Sequence, residues 1–159
     1  MIRAAAEDDI PRILEIEREA ISPPWSHGAL LGEIYRERSL FAVAGESYPV
    51  TDGEKPRTAF AVNEAVNGFI ILRQMGDEGE LLQIAVDRAK RRRGTADLLI
   101  GAALQYAKDN ELKSVYLEVR KSNEAAVALY KKHGFISVRQ RKDYYSNPVE
   151  DAVVMVRDL

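Results

Sequence analysis

The 159-residue chain has no cysteine, which excludes a disulfide framework, a thiol nucleophile and a thiolate metal site. It has no run of 18 apolar residues and no apolar signal segment at its N-terminus, so we expect a cytoplasmic protein without a membrane partner. The Gly-x-Ser-x-Gly motif of serine hydrolases is missing as well. Neither a covalent Ser or Cys intermediate nor a metal site is therefore predicted.

Neither sign of charge is in large excess. The formal net charge is −2, and the four cations of Lys90–Arg93 are a local concentration of positive charge. A general nucleic-acid binder needs a basic face rather than one basic loop, so we expect no nucleic-acid partner. The length favours a single domain over residues 1–159, which would bury roughly 70% of the surface of the unfolded chain.

The stretch from Leu81 to Asn110 joins an apolar run to a helical pattern through a basic turn. Leu81–Val86 predicts a strand covered on both faces, and the spacing of apolar residues after Gly94 predicts a helix. The unpaired N–H groups at the start of such a helix attract anions, and Lys90–Arg93 adds positive charge beside them. We predict a pyrophosphate site here; the alternative is a solvated basic loop.

Two widespread phosphate-binding motifs are excluded at this turn. No Gly-Lys-Ser/Thr follows Gly94, so the turn is not a nucleotide P-loop. The three-glycine fingerprint of dinucleotide-binding proteins is also missing.

The N-terminal third predicts two helices joined by a proline-rich turn. Ile10–Ile16 has apolar residues at helical spacing, Pro23 and Pro24 end that helix, and Ser26 can cap the next one. Trp25 at the hinge is either a packing anchor or one wall of a substrate groove. Further predicted segments are strands at Ile2–Ala5, Leu40–Ala44, Thr58–Val62 and Val66–Leu72, a loop at Ser47–Arg57, and a turn at Gly76–Gly79 that makes a hairpin with the Leu81 strand.

After the central helix, Ser114–Arg120 predicts a strand parallel to the Leu81 strand, because the two are connected through a helix. Glu118 is then a carboxylate inside a sheet, and a salt bridge with Arg120 would be a purely structural explanation for it. Ser122 or Asn123 caps a helix over Glu124–Lys132. The chain ends with two strands in Phe135–Leu159 around a loop that contains Tyr144, Tyr145, Asn147 and Pro148.

These segments together predict a mixed α/β (α+β) fold: a mostly antiparallel mixed sheet with a central parallel strand pair, flanked by helices. The motifs Arg91-Arg92-Arg93-Gly94-Thr95-Ala96, Leu117-Glu118-Val119-Arg120, Ser122-Asn123 and Ala128-Leu129-Tyr130 closely resemble the GNAT family of acetyl-CoA-dependent N-acetyltransferases. The likeness is closest to its RimI branch, which acetylates the N-terminal alanine of a small-subunit ribosomal protein. It extends to Pro24-Trp25-Ser26 and to Tyr144-Tyr145, and it is weakest from Ser47 to Ala65.

The resemblance implies acetyl-CoA as the acetyl donor and a protein with a free N-terminus, such as a ribosomal protein, as the partner. By likeness to the family, Glu118 is the general base, Tyr130 is the general acid, and Trp25, Tyr144 and Tyr145 contact the substrate. The positions that the resemblance assigns to cofactor binding are Ile84, Ala85, Val86, Arg91, Arg92, Arg93, Gly94, Thr95, Ala96 and Asn123.

Asp97 departs from the family pattern, in which this position is often basic or small. A carboxylate suits the start of a helix but repels phosphate, so we expect a lower cofactor affinity than is typical. The alternatives to N-terminal acetylation are acetylation of a lysine or a small polyamine, and a module that holds acetyl-CoA without turnover. The presence of both Glu118 and Tyr130 speaks against the module.

Overall fold

The computed structural model describes residues 1–46, 48–50, 57–59 and 66–159. A seven-stranded sheet has the strand order β1-β2-β5-β6-β7-β9-β8, and β3 and β4 form a separate hairpin. Within these residues, no helix is long and apolar enough to cross a membrane. In chain order the elements are β1 (Ile2–Ala4), α1 (Ile10–Ala20), α2 (His27–Ile34), β2 (Ser39–Gly45), β3 (Tyr48–Val50), β4 (Arg57–Ala59), β5 (Val66–Met75), β6 (Glu78–Val86), α3 (Thr95–Asp109), β7 (Ser114–Arg120), α4 (Glu124–Lys132), β8 (Ile136–Tyr145) and β9 (Glu150–Asp158).

The mixed sheet with one parallel pair confirms the predicted fold class. β6 and β7 run parallel, and every other neighbouring pair in the sheet is antiparallel. The helix caps agree with the sequence too, since the Ser26 side chain accepts a hydrogen bond from the Ala29 N–H at 3.1 Å. Asn123 rather than Ser122 caps α4, and Gly134 follows that helix with a φ of +81°.

Both faces of the sheet are covered at β5 and β6, as the apolar run of β6 predicts. Phe69 and Ile71 of β5 pack with α1 and α2 on one face, and Ile70 and Leu72 pack with α3 on the other. All four side chains are fully buried. Because burying such a side chain contributes roughly 1.5–3 kcal/mol, the two clusters fix β5 and β6 firmly between the helical layers.

An extra residue in β6 interrupts the sheet near its centre. Ile71 lies opposite Gln83 while Leu72 lies opposite Leu81, so Leu82 is bulged out of the pairing between β5 and β6. The parallel pairing of β6 with β7 extends from Glu78 only as far as Leu81, which lies opposite Leu117. Bulges bend a strand and increase its twist. Beyond the bulge β6 therefore separates from β7, and a gap opens between the two strands.

Gly68 lets β5 follow β6 closely on the other side of this gap. It lies opposite Val86, and a Cβ atom added at Gly68 would lie 2.7 Å from the carbonyl oxygen of Ala85. No real Cβ fits at that distance. Among the residues that the structure describes, the end of β6 is therefore paired with β5 alone, and its other edge is directed into the gap.

One predicted loop needs correction. Ser47–Arg57 is not entirely a loop, because Tyr48–Val50 pairs with Arg57–Ala59 in register. The pairing of two segments across a connection has no strong local signal, and Ser47 and residues 51–56 lie outside the described residues. The predicted strand Thr58–Val62 is described only at Thr58 and Ala59, both in β4.

The other corrections concern strand ends. β6 begins at Glu78, inside the predicted turn, because its first residues pair with both β5 and β7. Tyr144 and Tyr145 belong to the end of β8 rather than to the loop after it. In both places tertiary pairing extends a strand beyond the point where the sequence pattern ends it.

Candidate active site

A cleft of about 700 Å³ lies beside the end of β6, where that strand has left β7. α1 and α3 cover opposite faces of the sheet and both contribute to the cleft wall, so the cleft passes through the gap between the strands. All predicted cofactor-binding residues except Arg93 line it, together with Tyr130. The sequence does not predict the remaining wall residues, which are Glu19, Ala20, Asp97, Ala125, Ala126, Ala128 and Leu129.

A second groove, of about 620 Å³, lies on the other flank of α4 against β8. Its wall includes Lys121, Lys131 and Arg139 but none of the predicted site residues. The cleft beside β6 is therefore the candidate site.

The basic turn at one end of the cleft presents backbone N–H groups to it. Gly94 has a φ of +80° and precedes α3, whose first internal hydrogen bond runs from the Leu98 N–H to the Gly94 carbonyl at 3.0 Å. The N–H groups of Thr95, Ala96 and Asp97 therefore have no partner inside the helix. With the positive end of the helix dipole behind them, they form an anion-binding surface.

The cations of this turn are held in different ways. The Arg91 Nε donates to the Val86 carbonyl at 3.1 Å, which ties the turn to the end of β6. Lys90 forms an ion pair of 2.8 Å with Glu46. Arg91 and Arg92 line the cleft, whereas Arg93 does not. Two of the four cations are thus placed to face an anion in the cleft.

Asp97 does not present a free negative charge to the cleft. Its Oδ1 accepts hydrogen bonds from Lys132 Nζ at 2.6 Å and from His133 Nε2 at 2.9 Å. The bond from Lys132, followed by that from His133, lowers the pKa of the Asp97 carboxyl. These contacts join the start of α3 to the end of α4 and offset the repulsion that the sequence predicts between Asp97 and a phosphate.

The other side of the cleft is formed by α4. The Asn123 side-chain oxygen accepts from the Ala126 N–H at 3.2 Å, so its amide N–H groups are left to face the cleft. Tyr130 is buried against Phe135, with the two ring centroids 5.8 Å apart. Burial, and then the nearby Tyr145, raises the pKa of the Tyr130 hydroxyl well above its usual value. Tyr130 is therefore protonated at neutral pH.

Glu118 lies outside the cleft wall, on β7 and next to the end of β8. It forms an ion pair with Arg141, whose Nε lies 2.9 Å from the Glu118 Oε1. A hydrogen bond from the Tyr144 hydroxyl to Glu118 is the main reason that the pKa of Tyr144 rises to about 12. Glu118 is ion-paired, but with Arg141 and not with Arg120 as the sequence suggests.

Tyr145 connects Glu118 with the cleft. Burial, followed by the charge of Glu118, raises the pKa of Tyr145. Tyr145 in turn contributes to the raised pKa of Tyr130. The rings of Tyr144 and Tyr145 meet edge to face with centroids 5.0 Å apart. The predicted base, the predicted acid and the two predicted substrate tyrosines are therefore near enough to influence one another's charge.

The backbone of Trp25 is bound by a buried polar pair, Glu17 and Gln83. The Glu17 Oε1 accepts from the Trp25 backbone N–H at 2.8 Å and from Gln83 Nε2 at 2.9 Å. Glu17 Oε2 and Gln83 Oε1 are buried, and neither atom has a hydrogen-bond partner among the described residues. The pair links the α1–α2 connection to β6, and no sequence motif marks either residue.

Comparisons with known proteins agree with this geometry. The model of the acetyltransferase (GNAT) family matches residues 10–135. The [ribosomal protein bS18]-alanine N-acetyltransferase of Haemophilus ducreyi is 32% identical over 98% of this chain and 97% of its own. An N-alpha-acetyltransferase of Saccharolobus solfataricus is 32% identical over 99% of this chain and 92% of its own.

A solved structure gives the same result. The crystal structure of the ribosomal-protein-S18-alanine N-acetyltransferase from Escherichia coli superposes with a TM-score of 0.79 at 28% identity, covering 99% of this chain and 92% of the other. The chain therefore belongs to the GNAT family of acetyltransferases. Enzymes of this family use acetyl-CoA as the acetyl donor.

The αL conformation of Gly94 generates a prediction. In Gly94→Ala the added Cβ meets no neighbour, but holding it at a φ of +80° costs about 1–2 kcal/mol. We expect the turn to relax away from the cleft and the acetyl-CoA Kd to rise about 10-fold, as measured by calorimetry.

Gly101→Ala is the matched control, because Gly101 lies in the middle of α3 with no atom within 4 Å of an added Cβ. It should stabilise the helix by up to about 1 kcal/mol and leave the Kd unchanged. Equal acetyl-CoA affinity in both variants would place the cofactor away from this turn.

Proposed function

We propose that this protein transfers the acetyl group of acetyl-CoA to the N-terminal α-amine of a protein, with alanine as the first residue and a small-subunit ribosomal protein as the substrate. The observation that carries the proposal is the unpaired edge of β6 beyond the bulge, which lies beside the start of α3 and Tyr130 in one cleft. Full-length relatives that are named as N-terminal alanine acetyltransferases support the choice of substrate.

The residues of the cleft fit acetyl-CoA. Ile84–Val86 offers backbone N–H and C=O groups to the pantetheine arm, which is built from amides. The N–H groups at the start of α3, together with Arg91 and Arg92, suit the pyrophosphate. The amide of Asn123 can donate a further hydrogen bond to the cofactor. Acetyl-CoA supplies an acetyl carbonyl that is activated as a thioester.

Direct transfer of the acetyl group requires a base for the amine, a hydrogen-bond donor for the carbonyl oxygen and an acid for the departing sulfur. A C–N bond forms between the amine and the acetyl carbon, and the C–S bond breaks. In our proposal Glu118 takes the proton of the amine, and a backbone N–H of Ile84–Val86 stabilises the negative charge that develops on the carbonyl oxygen. Tyr130, which like any tyrosine is protonated at neutral pH, gives its proton to the departing sulfur.

The substrate amine is expected near Glu118, between the α1–α2 connection and the end of β8. Arg120 bridges these two segments, since its guanidinium donates to the carbonyl oxygens of Ser22 and Ser146 at 3.5 and 3.4 Å. Trp25 on one side and Tyr144 and Tyr145 on the other then form the walls of the groove. If these aromatic walls close tightly around the first residue of the peptide, a small residue such as alanine is favoured.

An α-amine also demands less of one carboxylate base than a lysine does. With a reference pKa of about 7.7–8.0, roughly 10–15% of an α-amine is unprotonated at pH 7, against less than about 0.1% of a lysine. This difference favours the N-terminal amine as the nucleophile.

The assignment of the base and the acid can be tested by isosteric substitution. Glu118→Gln and Tyr130→Phe should each lower kcat by about 10²-fold or more, because each removes a proton-transfer group, while the acetyl-CoA Kd stays the same. Glu37→Gln and Tyr35→Phe, at exposed positions away from the cleft wall, serve as matched controls. Near-normal turnover in both folded site variants would remove Glu118 and Tyr130 from the mechanism.

The choice of amine is tested with two peptides of the same sequence. One begins with a free alanine, and in the other the α-amine is blocked while an internal lysine is free. We expect CoA release with the first peptide to be at least 10-fold faster in kcat/KM. Faster acetylation of the blocked peptide would identify a lysine acetyltransferase instead.

A further inference from the structure

Glu118, the proposed base, is already ion-paired with a cation of the protein itself, Arg141. Arg141 Nε lies 2.9 Å from Glu118 Oε1, and Tyr144 donates a hydrogen bond to the same carboxylate. A carboxylate that receives a proton from an ammonium group must come within hydrogen-bond reach of that group. Two cations cannot share one carboxylate oxygen without mutual repulsion.

We propose that Arg141 is a displaceable counter-ion of Glu118: in the free enzyme it holds the place that the ammonium group of the substrate takes on binding. The inference rests on the proposed function, in which Glu118 accepts the proton of the amine. Displacement exchanges one cation for another, so the charge balance at Glu118 is kept. A blocked, uncharged N-terminus cannot make this exchange, and Arg141 thereby favours substrates with a free amine.

The surroundings of Arg141 allow it to leave. Its side chain is 44% exposed, whereas that of Glu118 is 15% exposed, so the guanidinium can move into water while the carboxylate stays in place. The pairing of β8 with β9 is irregular between Arg141 and Tyr145, and Asp143 has a φ of +51°. Glu118 is also the sole ion-pair partner of Arg141 among the described residues.

Arg120, the other arginine close to Glu118, is held quite differently. Its guanidinium bonds Glu150 and the carbonyl oxygens of Ser22, Ser146 and Pro148. It also lies 4.3 Å from the centroid of the Tyr145 ring. Arg120 is thus a fixed part of the groove. Arg141 has one ion pair and a distant ring contact, at 5.6 Å from the Tyr144 centroid, and is the movable one.

The test is the effect of Arg141→Gln on peptide binding and turnover. Removing the competing charge should lower the KM of the alanine peptide about 2–5-fold, in line with the strength of a partly exposed ion pair, with kcat within about 2-fold of the parent. The peptide Kd measured by calorimetry on the CoA-loaded enzyme should fall by the same factor. Arg141→Lys, which keeps the charge, should restore the parental KM.

Arg139→Gln is the matched control, since it removes one positive charge from the same strand at a residue that lines the groove against α4. Its KM should equal that of the parent. In a Glu118→Gln background the effect of Arg141→Gln on the peptide Kd should vanish, because the competition acts through the carboxylate.

A lower kcat with an unchanged or raised KM in Arg141→Gln would overturn the inference, because Arg141 would then hold Glu118 in position for catalysis. An unchanged KM in an enzyme that does acetylate the alanine peptide overturns the inference alone. A parent enzyme that acetylates no N-terminal amine overturns the proposed function as well.

Discussion

Leu82 is the residue on which the site depends most, because its bulge ends the pairing of β6 with β7. Without that extra residue the two parallel strands would continue side by side, and their backbone groups would bond each other. In the described part of the chain, the bulge leaves the edge of Ile84–Val86 without a strand partner and opens the cleft between the two faces of the sheet. The burial of β5 and β6 on both faces keeps the gap open, since neither strand can shift without exposing apolar side chains.

Charge is arranged along the cleft in a consistent order. Positive charge from the start of α3 and from Arg91 and Arg92 lies at one end. Asp97, in the same region, is matched by Lys132 and His133, so it links two helices instead of opposing an anion. At the other end lies Glu118, whose negative charge raises the pKa values of Tyr144 and Tyr145. An anionic donor and a cationic acceptor would therefore enter at opposite ends.

The features that depend on neighbouring residues could be predicted from the sequence. The strand before Lys90, the helix after Gly94 and a cap at Ser122 or Asn123 each follow from a few adjacent residues, and the structure selects Asn123 as the cap. The bulge could not be predicted, because Leu82 is flanked by residues that carry no glycine or proline signal. The partners of Glu118 and Trp25 were equally out of reach, since Arg141 and Glu17 meet them only after distant segments have packed.

Amide hydrogen exchange, followed by NMR with and without CoA, tests the central claim most directly. If the cofactor lies along the unpaired edge of β6 and against the start of α3, amides in Ile84–Val86 and in Thr95–Asp97 will exchange more slowly in the complex. Amides on β8 beside the second groove serve as an internal reference and should be unaffected. Protection of the β8 amides, with no change along β6 or at the start of α3, would contradict the account.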